Sequence, residues 1–437
     1  MLSIIIIVAC LALLIVLISY FKVNAFLSFL IVSIIAGLAL GIPLGELPAA
    51  VNSGIGNIMK DLTLIIVLGA MLGKLVAESG AAKKIADVMV DAFGTKHIQW
   101  GLMITGFIVG IPLFYGIGFV LLVPLIFSIV YKYKLPAVYI GLPMLAALSV
   151  THGFLPPHPS PVALVGMFQA DMGITLIYGL IVAIPAIILA GPVFSKALKN
   201  INSGPVTLFE QKETANNYST PGKANSFISA ILPVILLILA TVIPYIFPQT
   251  KEVISFIGNP SIVMLIALIV ATYTLGIKTG RKIKEVMEIY GDAVKDIAMI
   301  LLIIAGAGIF KEVMTASGVD LMIGEMLKGL SISPLILAWF IAAIIRACVG
   351  SATVAALTAA NMVLPLLAID PTINPSLMVL SLGAGSLMFS HVNDAGFWMF
   401  KEYFNLTLVD TFKSWSVMEA IVSIMGLIGV LIIDMII

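Results

Sequence analysis

The chain has 437 residues, of which 61% are hydrophobic and only 10% charged; 23 basic and 22 acidic side chains leave a net charge of +1. Soluble domains carry about 25% charged residues, and so apolar a chain cannot cover a water-facing surface, which excludes a soluble globular protein and makes membrane lipid the expected solvent. The near-zero net charge offers no basic field for nucleic acid and no acidic field for cationic partners. Cys10 and Cys348 lie in apolar runs without metal-ligand or disulfide-framework spacing, and read as small core residues.

Taken in chain order, Leu2 to Tyr20 is apolar but lacks a basic n-region and a small-residue cleavage site, so it reads as a retained membrane helix. A bilayer core of about 30 Å needs roughly 20 apolar residues per helix. Further runs lie near 25-44, 61-79, 98-130, 137-151, 174-195, 226-247, 260-277, 296-316, 333-368, 374-390 and 413-437. Two of them, 98-130 and 333-368, are too long for one span and are interrupted by Ile111-Pro112-Leu113-Phe114-Tyr115-Gly116-Ile117-Gly118 and by Arg346-Ala347-Cys348-Val349-Gly350-Ser351. Each is either two spans or a re-entrant hairpin; half-runs such as 98-111 are short for crossing, which favours hairpins.

Short cytoplasmic loops are enriched in Lys and Arg. With the termini outside, Lys22, the segment Lys83-Lys84 to Lys96, Lys132 with Lys134, the loop from Lys196 to Lys223, and Lys278-Arg281-Lys282-Lys284 all fall in the cytoplasm. The amphipathic stretches 81-93, 281-295 and 319-329 are expected along the interface or capping the bundle; the plainer reading is that they are connectors. The fold class expected is an all-α polytopic membrane protein of about ten full spans with two re-entrant hairpins and two unwound helices.

The polar segment 196-225, with Asn202-Ser203-Gly204-Pro205, Asn216-Asn217 and Pro221-Gly222, divides the chain nearly in half, giving a first repeat over 1-195, a cytoplasmic linker and a second repeat over 226-437. Ser79-Gly80 matches Ser317-Gly318, Thr151-His152 matches Ser390-His391, and Val123-Pro124-Leu125 matches Leu364-Pro365-Leu366, in one order and at a nearly constant separation. Five spans in the first half return the chain to the opposite side, so the repeats are expected to be inverted. Inverted repeats with helices broken near the midplane are how secondary transporters build sites, because irregular backbone at membrane depth is tolerated only in protein or facing an aqueous cavity.

The first helix break, 152-161, reads His152-Gly153-Phe154-Leu155-Pro156-Pro157-His158-Pro159-Ser160-Pro161. Four prolines in six residues cannot continue a helix. This segment resembles the gluconate permease family, whose members carry a closely similar His-Gly-x-x-Pro-Pro-His-Pro-x-Pro motif, and the resemblance in length and helix order extends over essentially the whole chain. It implies proton-coupled uptake of gluconate or a related sugar acid at a bacterial inner membrane, with two hairpins and two unwound helices around the substrate. Some relatives carry D-serine or other small hydroxylated acids.

The residues carry their own arguments. A spacing of six puts His152 and His158 on no common helical face, and no Cys, Asp or Glu lies in the break, so no metal and no cofactor is expected. Imidazole suits a proton relay or a substrate hydrogen bond; the plainer reading is that it braces the unwound backbone. Thr151 and Ser160 either meet substrate hydroxyls or satisfy carbonyls freed by the prolines. In the second break, 390-396, Asp394 beside Ser390, His391 and Asn393 offers a protonatable group with polar partners, since intramembrane acids are functional hypotheses by default; the rival reading of Asp394 is a helix N-cap. Proton coupling is therefore assigned to Asp394 and His391. Arg346 suits a substrate carboxylate through its planar fork, or a structural bond to Asp394 or to helix carbonyls. Gly350, Ser351 and Thr353 form one tip, Tyr115, Gly116 and Gly118 the other, and Asn361 faces the same cavity from the returning arm; small residues there also serve helix packing.

These readings converge on a symporter for a small carboxylate, with possible self-association. Sodium, held by tip carbonyls, would serve in place of the proton. A passive channel is the rival from another class. An intramembrane hydrolase is disfavoured, because H-E-x-x-H and G-x-S-x-G are both missing.

Overall fold

The computed structural model describes residues 2–201, 218–319, 322 and 332–437, and among these the chain is helical throughout, without strands. The first half runs α1 (Leu2–Ser19), α2 (Ala25–Ala39), α3 (Leu47–Glu78), α4 (Ala81–Phe93), α5 (Ile98–Gly110), α6 (Tyr115–Tyr133), α7 (Ala137–Phe154), α8 (Pro159–Phe168) and α9 (Met172–Leu198). The second runs α10 (Lys223–Ile246), α11 (Lys251–Ile257), α12 (Pro260–Thr279), α13 (Ile283–Ala316), α14 (Pro334–Val349), α15 (Ala352–Ile369), α16 (Pro375–Gly385), α17 (Ala395–Tyr403) and α18 (Leu408–Asp434). From α3 and α13 onward the two halves share one order: a long helix, a two-armed hairpin (α5–α6, α14–α15), a broken helix (α7–α8, α16–α17) and a closing helix (α9, α18).

Seven helices among the described residues are long and apolar enough to cross a membrane, and an eighth if α3, bent by 49° between its halves, is counted as one span. Exposed Ile5, Val8, Ile181, Ile184, Ile269 and Ile344 present the side chains that lipid requires. The sequence expectation of about ten spans also included α1, whose apolar stretch here is Ile5–Ile18, and α2 and α16, which are apolar but shorter. Hairpin arms α5 and α14 are similarly short, as is the apolar stretch Tyr115–Phe127 of α6, while α15, with 18 residues, reaches spanning length. The multi-pass membrane character thus rests on several independent helices.

Local chemistry sets the boundaries. Asn24, Asp171 and Asn374 cap α2, α9 and α16, their side-chain oxygens accepting from Phe26 N (2.9 Å), Ile174 N (2.7 Å) and Ser376 N (2.9 Å). The amphipathic stretch 81-93 forms α4. The stretch 281-295 is not a separate surface element: it is absorbed into the 34-residue α13, because its apolar stripe of Val286, Tyr290, Ala293 and Ile297 continues in register to Ile304 and stays buried. Along this stripe α13 packs against α3, with Lys74 to Asp296 at 2.8 Å and Asn57 donating to Glu312 at 3.4 Å. Most of 319-329, like 202-217 of the 196-225 linker, lies outside the described residues. Arg281, grouped by sequence with a cytoplasmic lysine cluster, is buried, donating to the Glu78 carbonyl at 2.7 Å and stacked on Tyr218.

Both breaks differ from their sequence limits for physical reasons. Helix α7 keeps Thr151 and His152 and ends at Phe154. Leu155 precedes a proline and is extended (φ −107°, ψ 123°), as the proline ring demands of its predecessor. Pro159 and Pro161 stand in the first turn of α8, where a missing N–H costs nothing. The second break is longer upstream, since α16 ends at Gly385 and α17 starts at Ala395. The two broken helices cross tightly: a Cβ on Gly383 would lie 2.4 Å from the Gly153 carbonyl oxygen. Hairpin arm α15 and helix α16 of the second half both pack on α8 of the first, so hairpins and breaks from both halves meet in one buried region.

Candidate functional site

The carboxylate of Asp394 is the most heavily bonded group in that region. As N-cap of α17 it accepts from Gly396 N at 3.1 Å, where the helix dipole favours negative charge. Arg346, from the last turn of α14 and 4% exposed, donates to Oδ2 at 2.5 Å, and the Ser390 hydroxyl donates to the same oxygen. The N-cap reading of Asp394 and the reading of Arg346 as its structural partner are both realised. Ser390 is itself fixed by the indole N–H of Trp415 at 2.8 Å and, through its carbonyl, by the Ser416 hydroxyl. Trp415 and Ser416 sit in the π-type turn Phe412–Ser416 of α18, a local widening of the kind found at functional positions.

The second-half tip docks directly on the second break. Gly350 is left-handed (φ +77°), and a Cβ there would lie 2.1 Å from the Asn393 carbonyl oxygen, so the close approach requires glycine. Beside it the Ala347 carbonyl accepts from Asn393 Nδ2 at 2.8 Å and pairs with His391 Nε2 at 2.8 Å. His391 thus ties the break to the end of α14 rather than to Asp394.

From the first half, Tyr115 begins α6, and its ring stands 6.3 Å from the His152 ring and 5.9 Å from that of Trp415. It bridges the first break to the turn of α18 that holds Ser390. The sequence argument that His152 and His158 share no helical face holds for a helix, but the prolines turn the chain and bring the rings to 5.4 Å. His158 Nε2 is paired with the Gly110 carbonyl at 2.6 Å. No group of three or more His, Cys, Asp or Glu that could hold a metal occurs among the described residues.

Several buried polar atoms here have no hydrogen-bond partner among the described residues: Tyr115 Oη, His152 Nδ1, Arg346 Nε and Nη1, Asn393 Oδ1 and Glu419 Oε2. Burial of an unpaired polar atom is costly, and six in one electrostatic neighbourhood mark a place built to meet something polar. Arg346 and Asp394 act electrostatically on His152, and Asp394 and Glu419 on Tyr115. Glu419, on α18 and 2% exposed, escaped the sequence reading, as did Ser149 on α7, which donates to Glu419 Oε1 at 2.7 Å. The signal was available: Glu419 is an acid inside the apolar run 413-437.

Other candidates lie less centrally. The Thr151 hydroxyl is spent on the Leu148 carbonyl at 2.9 Å; Ser351 caps α15 through Val354 N; Gly116 is exposed, with open space at its Cα. Thr353 is half-buried in the first turn of α15. Asn361 points to the Ala307 carbonyl of α13 at 3.3 Å. Ser160 is buried in the first turn of α8. A cavity of about 310 Å³ lined by Asn57, Lys60, Gln169, Lys311 and Glu312 shares no residue with the cluster. Trp415→Phe deletes the bond that orients Ser390 and is expected to lower stability by about 1 kcal/mol, read as a lower unfolding midpoint in detergent; an unchanged midpoint would show that the bond contributes nothing.

Comparison with known proteins places this arrangement. The family model described as GntP family permease matches residues 2–436. The chain is 46% identical over 433 residues to the Gnt-II system L-idonate transporter of Escherichia coli (strain K12), covering 98% of each chain. It is 45% identical to a high-affinity gluconate transporter of the same strain, over 95% of this chain and 96% of that one. It is 44% identical to a gluconate permease of Bacillus subtilis (strain 168), with the same coverage. In fold it is similar to the crystal structure of the Alcanivorax borkumensis YdaH transporter, with TM-score 0.66 at 17% identity over 94% of this chain and 97% of that one. With its helical membrane fold and a family match from end to end, the chain belongs to the GntP family of permeases.

Proposed function

We propose that this permease carries gluconate or a related small sugar-acid anion together with a proton, by alternating access between inverted repeats, in the inner membrane of a bacterium. The observation that carries the reading is Arg346: its Nη2 is held by Asp394, while Nε and Nη1 are buried and unpaired. A planar guanidinium with free donors suits a substrate carboxylate. Around it Tyr115 Oη, His152 Nδ1 and Asn393 Oδ1 supply donors and acceptors of the kind that hydroxyl groups meet. The relatives are named for gluconate and idonate, both polyhydroxylated carboxylates, and this chemistry fits the same class.

Counterflow in proteoliposomes tests the substrate class. Labelled gluconate is expected to enter vesicles preloaded with gluconate or L-idonate, and unlabelled D-serine or acetate to compete at least about tenfold less well, one buried polar contact being worth about 1.4 kcal/mol or more. Acetate competing as well as gluconate would overturn the hydroxyl reading. Failure of every sugar acid to exchange would overturn the function.

A further inference from the structure

Glu419 is an acid in an awkward place. It is 2% exposed on α18, Oε1 is held by the Ser149 hydroxyl at 2.7 Å, and Oε2 has no hydrogen-bond partner among the described residues. The charged and titratable groups that act on it are Arg346 on α14 and Asp394 at the start of α17, with Tyr115 on α6 facing both acids and His152 three residues beyond Ser149 on α7. The one cation among them is already paired with Asp394 at 2.5 Å.

Charge counting gives Glu419 a task. The Arg346–Asp394 pair is balanced, so an ionised Glu419 leaves the empty site with one uncompensated negative charge. An arriving carboxylate adds a second, and two such charges in a desolvated region repel at short range in a low dielectric. One proton on Glu419 returns the loaded site to the charge of the empty one. From this geometry we infer that Glu419 is the proton-binding group whose occupancy permits the substrate anion to bind. Asp394, bonded to Arg346, Ser390 and Gly396 N, is the counter-ion that positions the arginine. Anion and proton then cross as a neutral pair, and each raises the affinity of the site for the other, which is the thermodynamic requirement for coupling.

This inference rests on the transport reading above, and the experiment separates the two. Wild-type protein is assayed by counterflow of labelled gluconate at symmetric pH, in steps from about pH 6 to pH 9. Exchange establishes transport, and the KM is expected to rise by up to about tenfold per pH unit on the alkaline side, as one proton is lost. Glu419→Gln keeps the shape and the Ser149 contact without the titration; it is expected to exchange gluconate with a KM flat across that range and to lose accumulation driven by a pH gradient. A pH-dependent KM in Glu419→Gln overturns the assignment. Should Glu419→Gln fail to exchange, Ser149→Ala decides: it removes the one hydrogen bond the acid makes among the described residues, so the pH profile of KM must move, and an unmoved profile overturns the inference. Absence of exchange in the wild type would instead overturn the substrate reading.

Discussion

Arg346→Gln is expected to abolish sugar-acid exchange and also to destabilise the protein, and a second substitution separates the two effects. Removing the guanidinium deletes the proposed anchor for the substrate carboxylate and strands Asp394, which is bonded to Arg346 at 2.5 Å and only partly exposed. Removing one partner of a buried ion pair costs about 3–5 kcal/mol, because the other charge stays behind uncompensated. The double variant Arg346→Gln, Asp394→Asn leaves no charge behind, and the asparagine still accepts from Gly396 N as a cap. Its unfolding midpoint in detergent is expected to recover most of the loss while exchange stays absent. If the double variant exchanged gluconate with the wild-type KM, Arg346 would be a structural residue only.

Gly350→Val is expected to reduce transport further than any substitution of a neighbouring tip residue. Two independent costs act there. The left-handed backbone at φ +77° disfavours a side chain by about 1–2 kcal/mol, and more for a β-branched one. A Cβ at 2.1 Å from the Asn393 carbonyl oxygen cannot be accommodated without separating the tip from the break. That separation breaks the contacts of Asn393 and His391 with the Ala347 carbonyl, 2.8 Å each, and so displaces Asp394. Initial uptake in cells expressing the variant at wild-type level is expected to fall at least about tenfold, as loss of about 1.4 kcal/mol or more would give. Wild-type uptake would mean that the tip and the break do not need to touch.

Much of this was legible in the sequence because lipid leaves few solutions. Long apolar runs fixed the helices, the prolines at 156, 157, 159 and 161 fixed the first break, and an arginine inside an apolar run stood out for its cost. What sequence could not give was who meets whom. Asp394 and Arg346 are 48 residues apart and either could have paired elsewhere; their bond depends on the hairpin tip seating against the break through Gly350. His152 and His158 came together although a helical spacing of six forbids it, because the proline segment between them is not a helix. Glu419 stood in the apolar run 413-437, but Lys413, Ser414 and Ser416 come just before it and its partner Ser149 is 270 residues away, so its role shows only once the two are seen bonded. For Asn361 the sequence could not show that its amide also serves a helix contact, with the Ala307 carbonyl of α13.

The most direct measurement is accumulation of labelled gluconate by wild-type proteoliposomes under an imposed inward proton gradient, with and without a protonophore. Coupling to one proton is expected to concentrate gluconate inside by up to about tenfold for each unit of pH difference, and the protonophore is expected to return the inside concentration to that outside. Entry that never exceeds the outside concentration, and proceeds equally with the protonophore, would contradict a coupled carrier and leave a passive pathway.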